Sequence, residues 1–146
     1  MLSQLPENHE PKDLVARYER CPILVVDDDP EIQADLAAIL ELEGFPVQTV
    51  GNGEAALRAV EEHHPNLILL DWNLPALNGG EFVRRLRARG EDPRIILISG
   101  EDAINDHARE IEADGYLSKP FDLADLMNIV ERKCGERAPW WAFWRQ

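Results

Sequence analysis

The sequence lacks the features that mark membrane, secreted and nucleic-acid-binding proteins. It has no long apolar run, and residues 1–11 are polar, without the hydrophobic segment of a secretory signal. It carries 15 lysines and arginines against 28 aspartates and glutamates, a net charge of -13. Surfaces that bind a phosphate backbone are basic, so this balance argues against nucleic acid as a partner. We expect a cytoplasmic protein for which membrane binding is disfavoured.

Cysteine is equally scarce. The two cysteines, Cys21 and Cys134, are too few for the disulfide framework on which small secreted domains depend. Free thiols are therefore the expectation from composition. Whether the two residues are close or bonded stays open, because the predicted arrangement of strands and helices brings them toward the same side of the molecule.

The apolar content is sufficient for one hydrophobic core. Hydrophobic residues make up 45% of the 146 residues, with no internal repeat or low-complexity linker. We divide the chain into an N-terminal extension (1–20), one domain (21–134) and a tryptophan-rich tail (135–146). A short helix over residues 12–20 and a frayed extension are equally compatible with the first segment.

Short apolar runs alternate with patterns of helical period. Strands are predicted at residues 23–26, 45–50, 67–71, 95–98 and 116–118. Helices are predicted between Pro30 and Gly44, at 54–63, around 82–86, at 103–113 and at 123–134. In the last helix the inward stripe would be Leu123, Leu126, Met127, Val130 and Cys134. The spacings suit crossover helices, which predicts a parallel α/β sheet with right-handed connections.

Polar side chains stand where the predicted strands end. They are Asp27, Asp28, Asp71, Ser99 and Lys119. Because the carboxyl ends of parallel strands meet at one edge, these residues should come together there. Three crowded carboxylates repel one another unless a cation such as Mg²⁺ lies among them. The lysine and the serine could hold the oxygens of a phosphoryl group carried by Asp71.

Each of these residues also has a purely structural interpretation. Asp27 and Asp28 could be carboxylates favoured at a helix start, which is our interpretation of Asp29. Asp71 could cap a turn, and Lys119 could be a solvated lysine. The histidines show no metal-ligand spacing with the cysteines, so we interpret them as surface residues: His9, His63, His64 and His107.

Together the motifs resemble the receiver domain of two-component response regulators. The resemblance rests on VVDD at residues 25–28, DWNLP at 71–75 followed by Gly79, Ser99, and YLSKPF at 116–121. These motifs occur in the expected order and span about residues 23–134. The resemblance implies a flavodoxin-like (βα)5 fold, a doubly wound parallel five-stranded sheet with strand order 2-1-3-4-5.

The resemblance also implies the chemistry of Asp71. This residue would accept a phosphoryl group from a histidine kinase or a histidine phosphotransfer protein. Mg²⁺ would be held by Asp28, Asp71 and the backbone carbonyl of Asn73, with Asp27 acting through water. The protein would assist its own phosphorylation and dephosphorylation without being an enzyme in any further sense.

Other family features concern the residues around the phosphoryl group. Ser99 and Lys119 would bind it, and Tyr116 would be the aromatic switch that turns inward as Ser99 moves. A cis peptide bond is expected before Pro120, where the cis form is rare enough to be a specific feature. Two departures are present: the interval from Ser99 to Lys119 is shorter than usual, and Gly100 replaces the usual alanine. Both lie on a surface through which many receivers dimerise or signal.

The leading hypothesis is a stand-alone receiver that binds a downstream protein when phosphorylated. The alternatives are a phosphorylation-independent scaffold and a small phosphohydrolase using Asp27 as nucleophile. The aromatic tail residues are Trp140, Trp141, Phe143 and Trp144. They could fold back near Tyr18, contact a partner or a second copy, or, less favoured, lie at a membrane interface. A homodimer could form through the fourth and fifth helices or through the tail.

Overall fold

The structure, a computed structural model, describes residues 20–135. The hypotheses about a helix over residues 12–20 and about the aromatic tail therefore lie outside the described residues. Within the described range, no helix combines the length and apolar character that a membrane crossing requires.

Five parallel strands form one sheet in the order β2-β1-β3-β4-β5. They are β1 (Ile23–Val26), β2 (Val47–Val50), β3 (Leu67–Asp71), β4 (Arg94–Ser99) and β5 (Gly115–Ser118). The helices that follow them are α1 (Pro30–Leu42), α2 (Gly53–His63), α3 (Gly79–Ala88), α4 (Ile104–Glu110) and α5 (Leu123–Gly135). The predicted fold class and strand order are confirmed.

The central strands are mostly apolar because both faces of the sheet are covered. Every residue of β1 and β3 is buried, whereas the edge strand β2 is only partly covered. One face packs against α2, α3 and α4 through a cluster that includes Leu70 and Phe82. The other face packs against α1 and α5 through a cluster that includes Leu69 and Val130. Two cores thus hold the strands at fixed register, and with them the residues at the strand ends.

Polar caps begin three of the helices at the same edge as the strand ends. The Asp29 side chain accepts from the Glu31 N–H at 2.9 Å, and Pro30 occupies the first turn of α1. Asn52 and Asn78 cap α2 and α3 in the same way. The interpretation of Asp29 as an N-cap is confirmed. These three helices therefore begin at capped residues in the loops that follow β1, β2 and β3.

Several boundaries differ from the prediction, most clearly in α5, α4 and β2. In α5, Leu123 is 55% exposed, whereas Ile129 is buried and packs in the core. Leu123 is the first residue of the helix and lies beyond the edge of the core. Helix α4 is shorter than predicted because the chain turns after it, with Glu112 at a φ of 52°. Strand β2 begins at Val47, since the Phe45 N–H donates instead to the carbonyl of Leu40.

The expectation of free thiols is wrong. Cys21 and Cys134 form a disulfide whose Cα atoms are 5.9 Å apart. Cys21 lies two residues before the start of β1 and Cys134 lies in the last turn of α5, so both are at the end of the sheet opposite the strand carboxyl ends. Composition could not reveal this pairing, because it depends on how α5 packs beside β1.

Candidate functional site

The structure brings the predicted site residues to one edge of the sheet. Asp27 follows β1, Asp71 ends β3, Ser99 ends β4 and Lys119 follows β5. The parallel register aligns these ends, with Asp71 opposite Ile98 and Ser99 opposite Ser118. Backbone pairing between the strands therefore sets the relative positions of the residues at the strand ends.

Three carboxylates form a compact acidic cluster at this edge. Asp27, Asp28 and Asp71 each offer one oxygen, and these oxygens all lie within 4.8 Å of one another. Asp27 and Asp71 are buried, whereas Asp28 is exposed. An all-oxygen set that is open on one side is the kind of site that suits a hard divalent cation. This cluster could hold a metal ion.

Lys119 places a positive charge between two of the carboxylates. Its Nζ lies 3.7 Å from Asp27 Oδ2 and 3.9 Å from Asp71 Oδ2. The Lys119 N–H also donates to the Ser99 carbonyl at 2.9 Å, which ties the two strand ends together. The Lys119–Pro120 peptide bond is cis, the isomer that the resemblance implies. The interpretation of Lys119 as merely solvated does not describe this contact.

Burial raises the pKa of Asp71 above its ordinary value, and the negative charges of Asp27 and Asp28 add to this effect. The Asn73 N–H, which donates to Asp71 Oδ1 at 3.2 Å, and the Lys119 ammonium act in the opposite direction. Desolvation is the largest of these influences. The ionised carboxylate is therefore held in a site that favours additional positive charge beside it.

The raised pKa predicts that Asp71→Asn stabilises the protein in the presence of a metal chelator. A carboxyl whose folded pKa is raised destabilises the folded state when it is ionised, and this cost disappears as pH falls through the folded pKa. We expect the unfolding free energy to be higher than that of wild type at pH 7, by a difference that shrinks toward acid pH. Urea unfolding across pH measures it. A variant less stable than wild type at pH 7, or a difference independent of pH, would contradict the prediction.

Asp27 is oriented by its own loop. Its Oδ1 accepts from the Asp29 N–H at 2.9 Å, which leaves Oδ2 facing Lys119. The N-cap of α1 is Asp29, and the Asp27 side chain bonds within the loop before the helix. Its buried carboxylate is held by this hydrogen bond as one member of the acidic cluster.

Ser99 and Tyr116 occupy different environments. Ser99 is 1% exposed, and its Oγ accepts from the Glu101 N–H at 3.0 Å. Tyr116 lies on the edge strand β5 and is 43% exposed. The tyrosine is therefore directed outward in this structure, and its switching role stays a prediction.

A side-chain contact beside the cluster was not predicted from the sequence. The Trp72 ring stacks on the His107 ring, with centroids 4.2 Å apart and planes 13° from parallel. His107 Nε2 lies 3.1 Å from Glu101 Oε2. The interpretation of His107 as a simple surface residue is therefore incomplete.

The available sequence signal for this contact was the pair of glycines at residues 79 and 80. An added Cβ would lie 3.1 Å from Trp72 Cε3 at Gly79 and 3.4 Å from Trp72 Cη2 at Gly80. The small residues leave room for the indole against the start of α3. A glycine pair alone does not identify the aromatic ring that needs the space.

The sequence of this chain is similar to those of known proteins of one family. The family model described as "Response regulator receiver domain" matches residues 23–131. The transcriptional regulatory protein PrrA of Mycobacterium tuberculosis is 42% identical over 111 residues, 75% of this chain and 48% of that protein. The DNA-binding response regulator MtrA of Mycolicibacterium smegmatis is 42% identical over 112 residues, 76% of this chain and 49% of that protein. The chain spans about half the length of these relatives.

Solved structures show the same architecture. The chemotaxis protein CheY4 of Vibrio cholerae matches with a TM-score of 0.71 and 27% identity, covering 77% of this chain and 97% of that one. A CheY-like receiver domain protein of Methanospirillum hungatei matches with a TM-score of 0.73 and 29% identity, covering 80% of this chain and 94% of that one. Both matches extend over nearly the whole of the compared domain.

Proposed function

Because the chain belongs to the response regulator receiver family, we propose that it accepts a phosphoryl group on Asp71 and transmits this change by binding another protein. The donor is a histidine kinase or a histidine phosphotransfer protein. The observation that carries the proposal is the buried Asp71 carboxylate with two further carboxylates and the Lys119 ammonium around it. Such a site combines a nucleophile with the charges that phosphoryl transfer needs.

In the proposed reaction, an oxygen of Asp71 attacks the phosphorus of the donor. The new O–P bond forms as the bond from phosphorus to the donor imidazole nitrogen breaks, and the imidazole keeps the electron pair and takes up a proton. Lys119 lies where its ammonium can bind an oxygen of the transferred group, and the Ser99 hydroxyl can donate to another. The protein assists this transfer and the later hydrolysis, and catalyses no other reaction.

The acidic cluster fits Mg²⁺ because its ligand atoms are carboxylate oxygens and one of the carboxylates, Asp28, is exposed to solvent. Asp28, Asp71 and the backbone carbonyl of Asn73 would hold the ion, with Asp27 bound through water. When bound, the ion would neutralise charge on the phosphoryl oxygens. The raised pKa of Asp71 is consistent with a site that gains from added positive charge.

We propose that the signal leaves through a protein contact. Among the described residues, Tyr116 and Leu123 are exposed large hydrophobic side chains. They flank the loop that carries Lys119, so a change at the site can reach them directly. They suit a downstream protein or a second copy of the chain. Phosphorylation by a histidine kinase implies a cytoplasmic location, and the net charge of -13 gives no support to a nucleic-acid contact by this domain itself.

Incubation with acetyl phosphate and Mg²⁺, followed by intact-mass measurement, tests the proposal. We expect one added phosphoryl group that is absent in Asp71→Asn and strongly reduced by a chelator. An unmodified wild-type protein would overturn the proposal. Loss of the adduct in Asp27→Asn with persistence in Asp71→Asn would instead support the phosphohydrolase hypothesis.

A further inference from the structure

Three side chains outside the acidic cluster connect the ends of β3 and β4. Trp72 directly follows Asp71, and its ring carries the stacked ring of His107 from α4. His107 Nε2 lies 3.1 Å from the carboxylate of Glu101, which stands in the loop after β4. The backbone N–H of Glu101 then donates to Ser99 Oγ at 3.0 Å. A continuous series of contacts thus runs from the residue beside Asp71 to the Ser99 hydroxyl.

The last contact of this series affects the hydrogen-bonding capacity of the Ser99 hydroxyl. A hydroxyl has one hydrogen to donate and lone pairs that accept. The Glu101 N–H already occupies an acceptor position of Ser99 Oγ, and the side chain is almost fully buried. The hydroxyl hydrogen is left for donation, which is the property required to bind an oxygen of a phosphoryl group. The bond from the Glu101 N–H therefore restricts the directions in which the Ser99 hydroxyl can donate.

The backbone ties Glu101 to the start of α4 through the Ile104 N–H, which donates to the Glu101 carbonyl at 3.3 Å. Helix α4 spans Ile104–Glu110 and has no side-chain hydrogen bond at its N-cap, Ala103. Helices this short are marginal without tertiary contacts. The Glu101–His107 contact crosses the uncapped start of α4, and Trp72 gives His107 a rigid surface to lie on. The side-chain contacts of Glu101 and His107 thus add to the backbone hydrogen bonds that hold the loop after β4.

We propose that Glu101 and His107 are positioning residues that hold the Ser99 hydroxyl as a donor toward the phosphoryl group on Asp71, with Trp72 as the support for His107. This inference rests on the proposed function. It assigns a role to residues that touch neither the transferred group nor the acidic cluster. Loss of the Glu101–His107 contact leaves Ser99 present but frees the loop that orients it.

Phosphorylation rates test this role. With acetyl phosphate and Mg²⁺, Glu101→Ala and His107→Phe should each react about 5-fold more slowly than wild type, the effect of one ordinary hydrogen bond. Phenylalanine preserves the aromatic stack and removes the polar contact. Glu101→Gln, which can still bond to His107, should retain most of the wild-type rate. Wild-type rates in both Glu101→Ala and His107→Phe would overturn the proposal.

A double-variant cycle separates positioning from general packing. In a Ser99→Ala background, Glu101→Ala should produce no further loss, because the hydroxyl it orients is absent. A purely structural role would slow the reaction equally in both backgrounds, and that result would refute the inference.

Indole fluorescence provides a readout that does not depend on phosphorylation. In a protein whose Trp140, Trp141 and Trp144 are replaced by phenylalanine, Trp72 is the remaining tryptophan. Its emission should change when Glu101→Ala releases His107, and should stay near wild type in Glu101→Gln. Unchanged emission in Glu101→Ala would refute the bridge itself, whereas a wild-type protein that takes up no phosphoryl group would refute the proposed function.

Discussion

Asp28→Asn is expected to weaken Mg²⁺ binding at least about tenfold, because even residues that only support metal ligands commonly contribute 10–100-fold. The Asp28 carboxylate is the exposed member of the three-carboxylate cluster. Its replacement removes a charged ligand from the open side of the site without disturbing the core. Calorimetric titration of wild type and variant with Mg²⁺ measures the difference.

Asp29→Asn is the matched control for this experiment. It removes the same charge one residue further along the chain, and asparagine is an equally good N-cap for α1. We expect its Mg²⁺ affinity to stay within about twofold of wild type, since the Asp29 side chain caps the helix and is not among the three carboxylates of the cluster. Equal weakening by the two variants would show that net charge, rather than coordination by Asp28, determines binding.

Reduction of the Cys21–Cys134 disulfide should lower the unfolding free energy by about 3–4 kcal/mol. The bond joins residues 113 apart in sequence, and in the chain-entropy model a cross-link over so long a loop restricts the unfolded chain strongly. The corresponding fall in Tm is about 10 °C for a domain of this size. The folded state should survive reduction, because aliphatic and aromatic side chains make up most of the two hydrophobic clusters.

The comparison protein is a Cys21→Ala, Cys134→Ser double variant, which keeps the buried position apolar and the more exposed one polar. It should unfold like reduced wild type and should not respond to reductant. Thermal unfolding with and without reductant gives both results. Two thiols that react with an alkylating agent in the native, unreduced protein would contradict the disulfide.

Most of the fold was predictable because its strands are short apolar runs with clear ends. The run at residues 67–71 is buried along its whole length, so its boundaries in the structure equal the predicted ones. The same reasoning placed Asp71 and Ser99 near one another, since the carboxyl ends of parallel strands lie at one edge of the sheet. The edge strand β2 was placed less well because it is only partly buried and its pattern is weaker.

The errors share a different cause. Leu123 resembles its neighbours Leu126 and Val130 in sequence, but it begins α5 beyond the edge of the sheet and is exposed. The stack of His107 on Trp72 joins a residue of helix α4 to one in the loop after β3 and has no periodic signature. In both cases the deciding factor is the relative placement of packed elements, which local patterns do not encode.

The sequence by itself determined the fold class, the edge at which the site lies and the residues that form it. It could do so because the apolar runs and the residues that end them can be recognised locally. Parallel pairing then brings those strand ends to the same edge of the sheet. Only the tertiary structure decided that Lys119 reaches two carboxylates, that Cys21 meets Cys134, and that His107 lies on Trp72. These contacts depend on how helices seat against the two faces of the sheet, a packing outcome of the whole chain.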